Sequence, residues 1–269
     1  MPDDGQQNGH GVIVIGASAG GVEALRNIAA GLPGDFGSTV FVVLHLPPGG
    51  TSVLPAILAR AGELSASHPV DGEKIKTRHI YVAPPDNYML IDDGVVRLAR
   101  GPRENGHRPA IDPLFRSAAR SHGAGVVGGR TVVQDPADAL YAAVPESAIA
   151  YVDPEHVVGT AGIAPLLTEL ATQAPADAPA AAVEPEVVLE ETLVASDRAA
   201  SEAPQPGEPS GFTCPECSGA LWQADEEGVP RFRCRTGRQY SLDALLAAQS
   251  DSLEAALWSA VRAREEQPA

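Results

Sequence analysis

The chain has 269 residues, enough for one large domain or two small ones, and its 35 acidic and 19 basic side chains leave a formal net charge of −16. Such a negative charge argues against a nucleic-acid partner or an anionic membrane surface. No apolar run reaches the roughly 20 residues of a membrane span, and the N-terminus lacks the basic flank and apolar core of a secretory signal, so we expect a cytoplasmic protein without membrane insertion.

The first predicted unit is a strand, a loop and a helix within "GVIVIGASAGGVEAL", residues 11–25. Branched residues at 12–15 predict a buried strand, and the apolar spacing over 22–32 predicts a helix, so Ser18 lies at the turn between them. In a parallel sheet this turn lies at the carboxyl edge, where ligands bind and where the helix N-terminus favours negative charge. The glycines at 16, 20 and 21 would let another backbone or a substrate approach closely.

Three known loop types compare differently with this turn. Ser18 stands where the dinucleotide fingerprint G-x-G-x-x-G requires glycine, and the loop does not end in the Gly-Lys-Ser/Thr of a phosphate loop. The stretch 16–20 matches G-x-S-x-G, the nucleophile elbow of α/β-hydrolases, although only one strand precedes it here. The alternative is a tight turn whose serine has no chemical role.

The second predicted strand, "TVFVVL" at 39–44, ends in His45. If it runs parallel to the first strand after a right-handed crossover, both strands finish on the same edge, which makes Ser18 and His45 neighbours. A serine hydroxyl is a poor nucleophile until a base takes its proton, and a neutral histidine is the usual base. The alternative is a loop histidine without a catalytic role.

Composition divides the chain into three parts. Residues 11–171 alternate apolar strands and amphipathic stretches, which predicts an α/β domain. Residues 172–210 are rich in Ala, Pro and Glu and predict a disordered linker. Residues 211–269 hold all three cysteines and a predicted helix over 241–266, whose apolar stripe could dock on the catalytic domain, pair with another copy or bind a partner.

The cysteines have the spacing of a zinc-ribbon knuckle. Cys214 and Cys217 form Cys-x-x-Cys, and Cys234 follows after sixteen residues, so the three are candidate zinc ligands that lack a fourth partner. A carboxylate such as Glu216 or Asp225, a water or a second chain could complete the site. The alternative is a small β-hairpin with three reduced thiols, held together by aromatic residues, namely Phe212, Trp222 and Phe232.

Several separate motifs together resemble one family. "IGASAGGVEAL", "VVLHLPPGGTSVLPAILAR", "HIYVAPPDNYML", "NGHRPAIDPLFRSAA" and "VVQDPADAL…VPESAIAYV" follow in the order found in the CheB-type chemotaxis protein-glutamate methylesterases. The resemblance covers about 11–171 and implies a three-layer α/β sandwich with a mostly parallel, doubly wound sheet. It further implies hydrolysis of glutamyl methyl esters on methyl-accepting chemotaxis receptors, often with deamidation of glutamines, and no cofactor for catalysis. A chemotaxis methyltransferase is a further candidate partner, and the chain is similar to stand-alone members without a receiver domain.

The same resemblance implies roles for individual residues. Ser18 falls on the family's nucleophile and His45 on its general base, with backbone N–H groups near Ala19 and Gly20 facing the oxyanion. Because both this protein and the receptor would be acidic, nearby cations would offset their repulsion, and the candidates are Arg100, Arg103 and Arg108. Stand-alone relatives carry a similar cysteine tail with histidine where this chain has Arg238, and arginine has no lone pair to give a metal.

The third catalytic residue of the family has no counterpart. It is an aspartate in a Leu-Thr-Gly…Asp-Gly motif, whereas this chain reads "VVGGRTVVQDP". Only Gly128, Gly129 and Arg130 separate two short apolar runs here, whereas a crossover between parallel strands needs about a dozen residues or more. We therefore predict that the domain is shortened after Val127 and that the two runs are half-strands fused into one. Asp135, Asp138 and Asp112 are candidate substitutes. Two further hypotheses are a catalytically impaired binding module and a serine esterase for a small substrate.

Overall fold

The computed structural model describes residues 11–45, 51–122, 130–173, 207–226 and 229–266. These fall into two compact units. The first contains the described residues up to Arg100 and those from Arg108 to 173. The second contains the loop Gly101–His107 and the described residues from 207 onward.

The first unit is built from alternating strands and helices. Its helices are α1 (Val22–Gly31), α2 (Leu54–Ala61), α3 (Ile111–His122), α4 (Ala143–Val152) and α5 (Thr160–Thr172). Its strands are β1 (Val12–Ala17), β2 (Thr39–Leu44), β3 (Ser65–Ser67), β4 (Glu73–Lys74), β5 (His79–Val82), β6 (Tyr88–Asp92), β7 (Val95–Ala99), β8 (Val132–Gln134) and β9 (His156–Val158). The predicted first helix is confirmed to within one residue, and the second predicted strand is confirmed at both ends.

A parallel sheet forms the centre of this unit. Within the described residues its order is β1-β2-β5-β3, and every pairing is parallel. The side chains of β2 alternate between the two faces, and all six residues of β2 are buried. A strand that is buried on both faces reads as a continuous apolar run, which is why "TVFVVL" carries no polar alternation.

Two hydrophobic cores lie on opposite faces of the sheet, so the unit has three layers. On one face, Val40 and Val42 pack with apolar residues of α1, α2 and α5. On the other face, Phe41 and Val43 pack with residues of α3, β6 and β7. The predicted α/β sandwich is therefore confirmed. Two smaller sheets complete the unit, an antiparallel one in the order β4-β7-β6 and a parallel pair of β8 and β9.

The second unit is an antiparallel meander followed by one long helix. Its elements are β10 (Glu208–Thr213), β11 (Ala220–Glu226), β12 (Val229–Cys234), β13 (Gln239–Ser241) and α6 (Leu242–Glu265). Ser241 caps α6, since its hydroxyl accepts a hydrogen bond from the backbone N of Ala244 at 3.3 Å. A small core contains Cys214, Leu221, Phe232, Cys234, Tyr240 and Leu245.

The loop Gly101–His107 packs within the second unit although it follows β7 in the chain. The backbone N of Asn105 donates to the carbonyl of Gln239 at 2.8 Å, and the Asn105 side chain accepts from the backbone N of Ser241 at 2.8 Å. Nothing in the local sequence of this loop predicts these partners, which lie more than a hundred residues away in the chain.

Two sequence predictions fall partly beyond the described residues. The proposed strand fusion after Val127 involves 123–129, which lie outside them, while β8 follows at Val132–Gln134. Of the predicted linker, 174–206 also lie outside, whereas α5 ends at Thr172 and β10 begins at Glu208. Among the helices that the structure describes, none is long and apolar enough to cross a membrane.

Candidate active site and cysteine cluster

Ser18 and His45 follow the ends of two neighbouring parallel strands. The last residues of β1 and β2, Ala17 and Leu44, are partners in the register. The backbone N of His45 then donates to the carbonyl of Ala17 at 3.0 Å. The predicted parallel pairing is confirmed, and the two candidate residues leave the sheet side by side at its carboxyl edge. Their catalytic roles stay predictions.

The backbone at Ser18 changes from strand to helix within one residue. Ser18 has φ −87° and ψ 177°, and it is followed by a single 3-10 turn, Ala19–Gly21, that leads directly into α1. The Ser18 carbonyl closes this turn by accepting from the backbone N of Gly21 at 2.8 Å. Its half-buried side chain makes no capping hydrogen bond to this turn.

Neighbouring side chains leave no room for a Cβ at two of the glycines around Ser18. A Cβ at Gly16 would lie 2.5 Å from Cγ2 of Ile111 in α3, and a Cβ at Gly20 would lie 2.3 Å from Cδ2 of Tyr141. The sequence predicts that another backbone or a substrate approaches these glycines, whereas at Gly16 and Gly20 the approaching groups are protein side chains. Tyr141 lies against this loop, and the sequence analysis missed it because an exposed tyrosine between a 3-10 turn and a helix gives no local signal.

The three candidate orienting carboxylates have different surroundings. Asp138 accepts from the backbone N of Thr160 at 2.6 Å and so binds the first turn of α5. The Thr160 hydroxyl and backbone N–H, with the Gln134 amide, hold the pKa of Asp138 below its ordinary value. Asp135 caps its own turn by accepting from the backbone N of Ala137 at 2.9 Å. Asp112 lies in the first turn of α3.

The arginines considered as cationic suppliers are mostly engaged elsewhere. Arg108 pairs with Asp86 at 2.7 Å, and Arg103 pairs with Glu216 in the second unit at 3.2 Å. Arg100 donates from Nε to the neutral side-chain oxygen of Asn87 at 3.0 Å. The Asn87 partner of Arg100 is a neutral amide, whereas Arg103 and Arg108 are paired with carboxylates.

The three cysteines of the second unit converge. Their sulfur atoms all lie within 4.8 Å of one another, with Cys214 and Cys234 buried and Cys217 exposed. A hydrogen bond from the Cys214 thiol lowers the pKa of Cys234, and the same bond raises the pKa of Cys214. The spacing Cys-x-x-Cys…Cys therefore predicts a real spatial cluster.

Of the two carboxylates that are candidates for the fourth ligand, Glu216 has other hydrogen-bond partners and Asp225 lies away from the cluster. Glu216 accepts from Arg238 Nε at 2.9 Å, from Arg103 Nη1 at 3.2 Å and from the Tyr240 hydroxyl at 3.0 Å. In the register of β11 and β12, Asp225 lies opposite Pro230 and Leu221 lies opposite Cys234. Asp225 is thus four residues along the strand from the position opposite Cys234, or about 13 Å at strand spacing. The predicted hairpin and a Phe212–Phe232 contact, with ring centroids 5.6 Å apart, are both present.

Comparisons with known proteins agree with this architecture. A family model described as CheB methylesterase matches residues 13–128. A putative protein-glutamate methylesterase/protein-glutamine glutaminase of Leptospira interrogans is 34% identical over 180 residues, which are 59% of this chain and 93% of that relative. The crystal structure of the Thermotoga maritima CheB methylesterase catalytic domain matches with a TM-score of 0.54 and 29% identity, over 60% of this chain and 98% of that domain.

Other relatives are longer proteins. Protein-glutamate methylesterase/protein-glutamine glutaminase 2 of Pseudomonas aeruginosa is 35% identical over 187 residues, or 60% of this chain. The match covers 53% of that relative, so this chain spans about half of its length. A protein-glutamate methylesterase/protein-glutamine glutaminase of Chromohalobacter salexigens is 40% identical over 44% of this chain and 34% of its own length.

Proposed function

The chain belongs to the CheB methylesterase family, and we propose that it hydrolyses glutamyl methyl esters on chemotaxis receptors, with Ser18 as nucleophile and His45 as general base. The observation that carries the proposal is the β1–β2 register, which brings these two residues to one edge of the sheet. Receptor proteins are the proposed substrate, the cytoplasm is the proposed location, and a chemotaxis methyltransferase is a further candidate partner.

The geometry supports a two-step acyl transfer. The Ser18 hydroxyl attacks the ester carbonyl carbon while the His45 imidazole accepts its proton, and the carbonyl oxygen becomes an oxyanion. Backbone N–H groups of the turn after Ser18 stabilise that charge at the N-terminus of the helix. Collapse of the intermediate breaks the bond to methoxide, which takes the proton from His45 and leaves as methanol. Water, deprotonated by His45, then releases the glutamate carboxylate and restores the Ser18 hydroxyl.

The rate of ester hydrolysis by Ser18 and His45 depends on a carboxylate that orients the histidine. In serine hydrolases, replacing the aspartate that orients the histidine lowers kcat by roughly 10⁴. Asp138 and Asp135 are bonded to Thr160 and Ala137. Asp112 is the second residue of α3, and the first residue of that helix, Ile111, lies against Gly16 of β1. We assign Asp112 as the first positioning residue to test because α3 packs against the end of β1 that leads to Ser18.

The test is methanol release from a methylated receptor fragment by the full chain. We expect release by the wild type, none above background for Ser18→Ala, and wild-type rates for Ser147→Ala, a matched control on the exposed face of α4. Asp112→Asn should lower kcat by at least tenfold and leave KM unchanged if it orients His45. Wild-type release equal to that of Ser18→Ala would refute the proposal and favour a binding module, and turnover confined to small esters would favour a different esterase.

A further inference from the structure

We propose that Cys214, Cys217 and Cys234 bind one thiophilic divalent cation, zinc in the cell, and that solvent occupies the fourth coordination position. Zinc–sulfur bonds of about 2.3 Å in a tetrahedron separate the sulfur atoms by roughly 3.8 Å. The three sulfur atoms here already lie within 4.8 Å of one another. Sulfur displacements of about 1 Å, within the reach of a side-chain rotation, would thus convert the cluster into a ligand set.

The backbone holds the cysteines in place by two similar turns. After Cys214, the backbone N of Ser218 donates to the Cys214 carbonyl at 2.8 Å, and after Cys234 the backbone N of Gly237 donates to the Cys234 carbonyl at 2.9 Å. The hairpin register pairs Leu221 with Cys234 and fixes the distance between the turns. The ligands are preorganised by the fold, so binding an ion requires little ordering of the chain.

The surroundings leave the fourth position to a small exogenous ligand. Glu216 is bonded to two guanidinium groups and a hydroxyl, and Asp225 is at the other end of its hairpin. Arg238 lies on the second turn but has no lone pair to donate. The exposed side of the cluster is that of Cys217, so water reaches the ion from there. A site with three protein ligands and one water is open, unlike a closed structural zinc site.

Neighbouring positive charge matches the charge of such a complex. Three thiolates and one divalent cation carry a net charge of −1. Arg238 Nη1 donates to the Thr236 hydroxyl at 2.6 Å, and that hydroxyl lies 3.0 Å from the Cys234 sulfur. The Thr236 hydroxyl therefore links the Arg238 guanidinium to the Cys234 sulfur. From this position the guanidinium would stabilise the bound anionic complex and polarise the Thr236 hydroxyl toward the Cys234 sulfur.

The experiment titrates the reduced, untagged full chain with Co²⁺ and with Zn²⁺. We expect one Co²⁺ per chain with intense sulfur-to-cobalt charge-transfer bands, displaced by Zn²⁺, and ligand-field bands that change when imidazole is added to fill the fourth position. Cys217→Ser changes an exposed side chain and should keep the fold, monitored by tryptophan fluorescence. Because loss of a mere supporting contact costs 10–100-fold in metal affinity, we expect loss of this ligand to cost more than about 100-fold. Ser252→Ala, at an exposed position of α6, is the control and should bind as the wild type does.

A gain-of-ligand variant tests the open position separately. Arg238→His adds an imidazole on the second turn, and we expect tighter Co²⁺ binding that no longer responds to added imidazole. The proposal is overturned if the reduced wild type shows no charge-transfer bands, if Cys217→Ser binds Co²⁺ within twofold of the wild type, or if the thiols form a disulfide, seen as a loss of two mass units, in the presence of Zn²⁺. None of these outcomes depends on esterase activity.

Discussion

A side chain at Gly16 should destabilise the protein, because α3 packs directly against the end of β1 that leads to Ser18. In Gly16→Ala the new Cβ would lie 2.5, 2.8 and 2.9 Å from Cγ2, Cδ1 and Cγ1 of Ile111. Optimal carbon–carbon separations are about 3.5–4.0 Å, so Ile111 must move by about 1 Å. Overpacking of this kind costs about 1–3 kcal/mol, which lowers Tm by about 2–12 °C for a protein of this size.

A double-mutant cycle isolates that contact. Ile111→Ala removes all three opposing atoms, so Gly16→Ala should cost less than about 0.5 kcal/mol in that background. Thermal and denaturant unfolding of the four full-length proteins, followed by circular dichroism, measures both costs. Gly37→Ala is the matched control, because a Cβ there meets nothing within 4 Å and should be neutral or stabilising by up to about 1 kcal/mol. Equal costs of Gly16→Ala in both backgrounds would refute the reasoning.

Two further predictions concern other parts of the chain. In α6, Leu245 is 0% exposed and its neighbour Leu246 is 47% exposed, so Leu245→Ala should cost about 2–5 kcal/mol and Leu246→Ala less than about 1 kcal/mol. Tryptophan fluorescence reports this difference, since both tryptophans lie in the second unit, and equal losses would contradict it. Asp138→Asn should lower Tm at neutral pH, because folding lowers the pKa of Asp138. The ionised carboxylate therefore stabilises the folded protein above its unfolded pKa of about 3.9, and this stabilisation is lost as the pH falls through the lower pKa of the folded state. Calorimetry across this range should show the two proteins converging in acid, and a difference that grows in acid would contradict the assignment.

The paired strands are predictable from sequence because their signal is local and strong. Six apolar or β-branched residues from Thr39 to Leu44 fit a strand buried on both faces. Crossovers between parallel strands are almost always right-handed, which favours a parallel pairing of this strand with the first. Those two facts alone bring Ser18 and His45 to one edge. The cysteine cluster is predictable for the same reason, since Cys-x-x-Cys commits the chain to a tight turn.

Contacts between distant segments are not predictable from one sequence. Ile111 fills the space at Gly16, where the sequence analysis expected a backbone or a substrate. The sequence makes Arg103 a candidate cation for the receptor, but it gives no sign of the ion pair that Arg103 forms with Glu216, 113 residues away. Both are consequences of how elements pack, and neither an isolated glycine nor an exposed arginine carries a pattern that names its partner.

The most direct test of the central claim is the rate at which a fluorophosphonate reacts with Ser18. If His45 takes the proton of Ser18, the wild type should be labelled at Ser18 alone, identified by peptide mass, and His45→Gln should slow the reaction by roughly 10²–10⁴. This readout needs no receptor. Labelling at another serine, or a rate for His45→Gln equal to that of the wild type, would contradict the account.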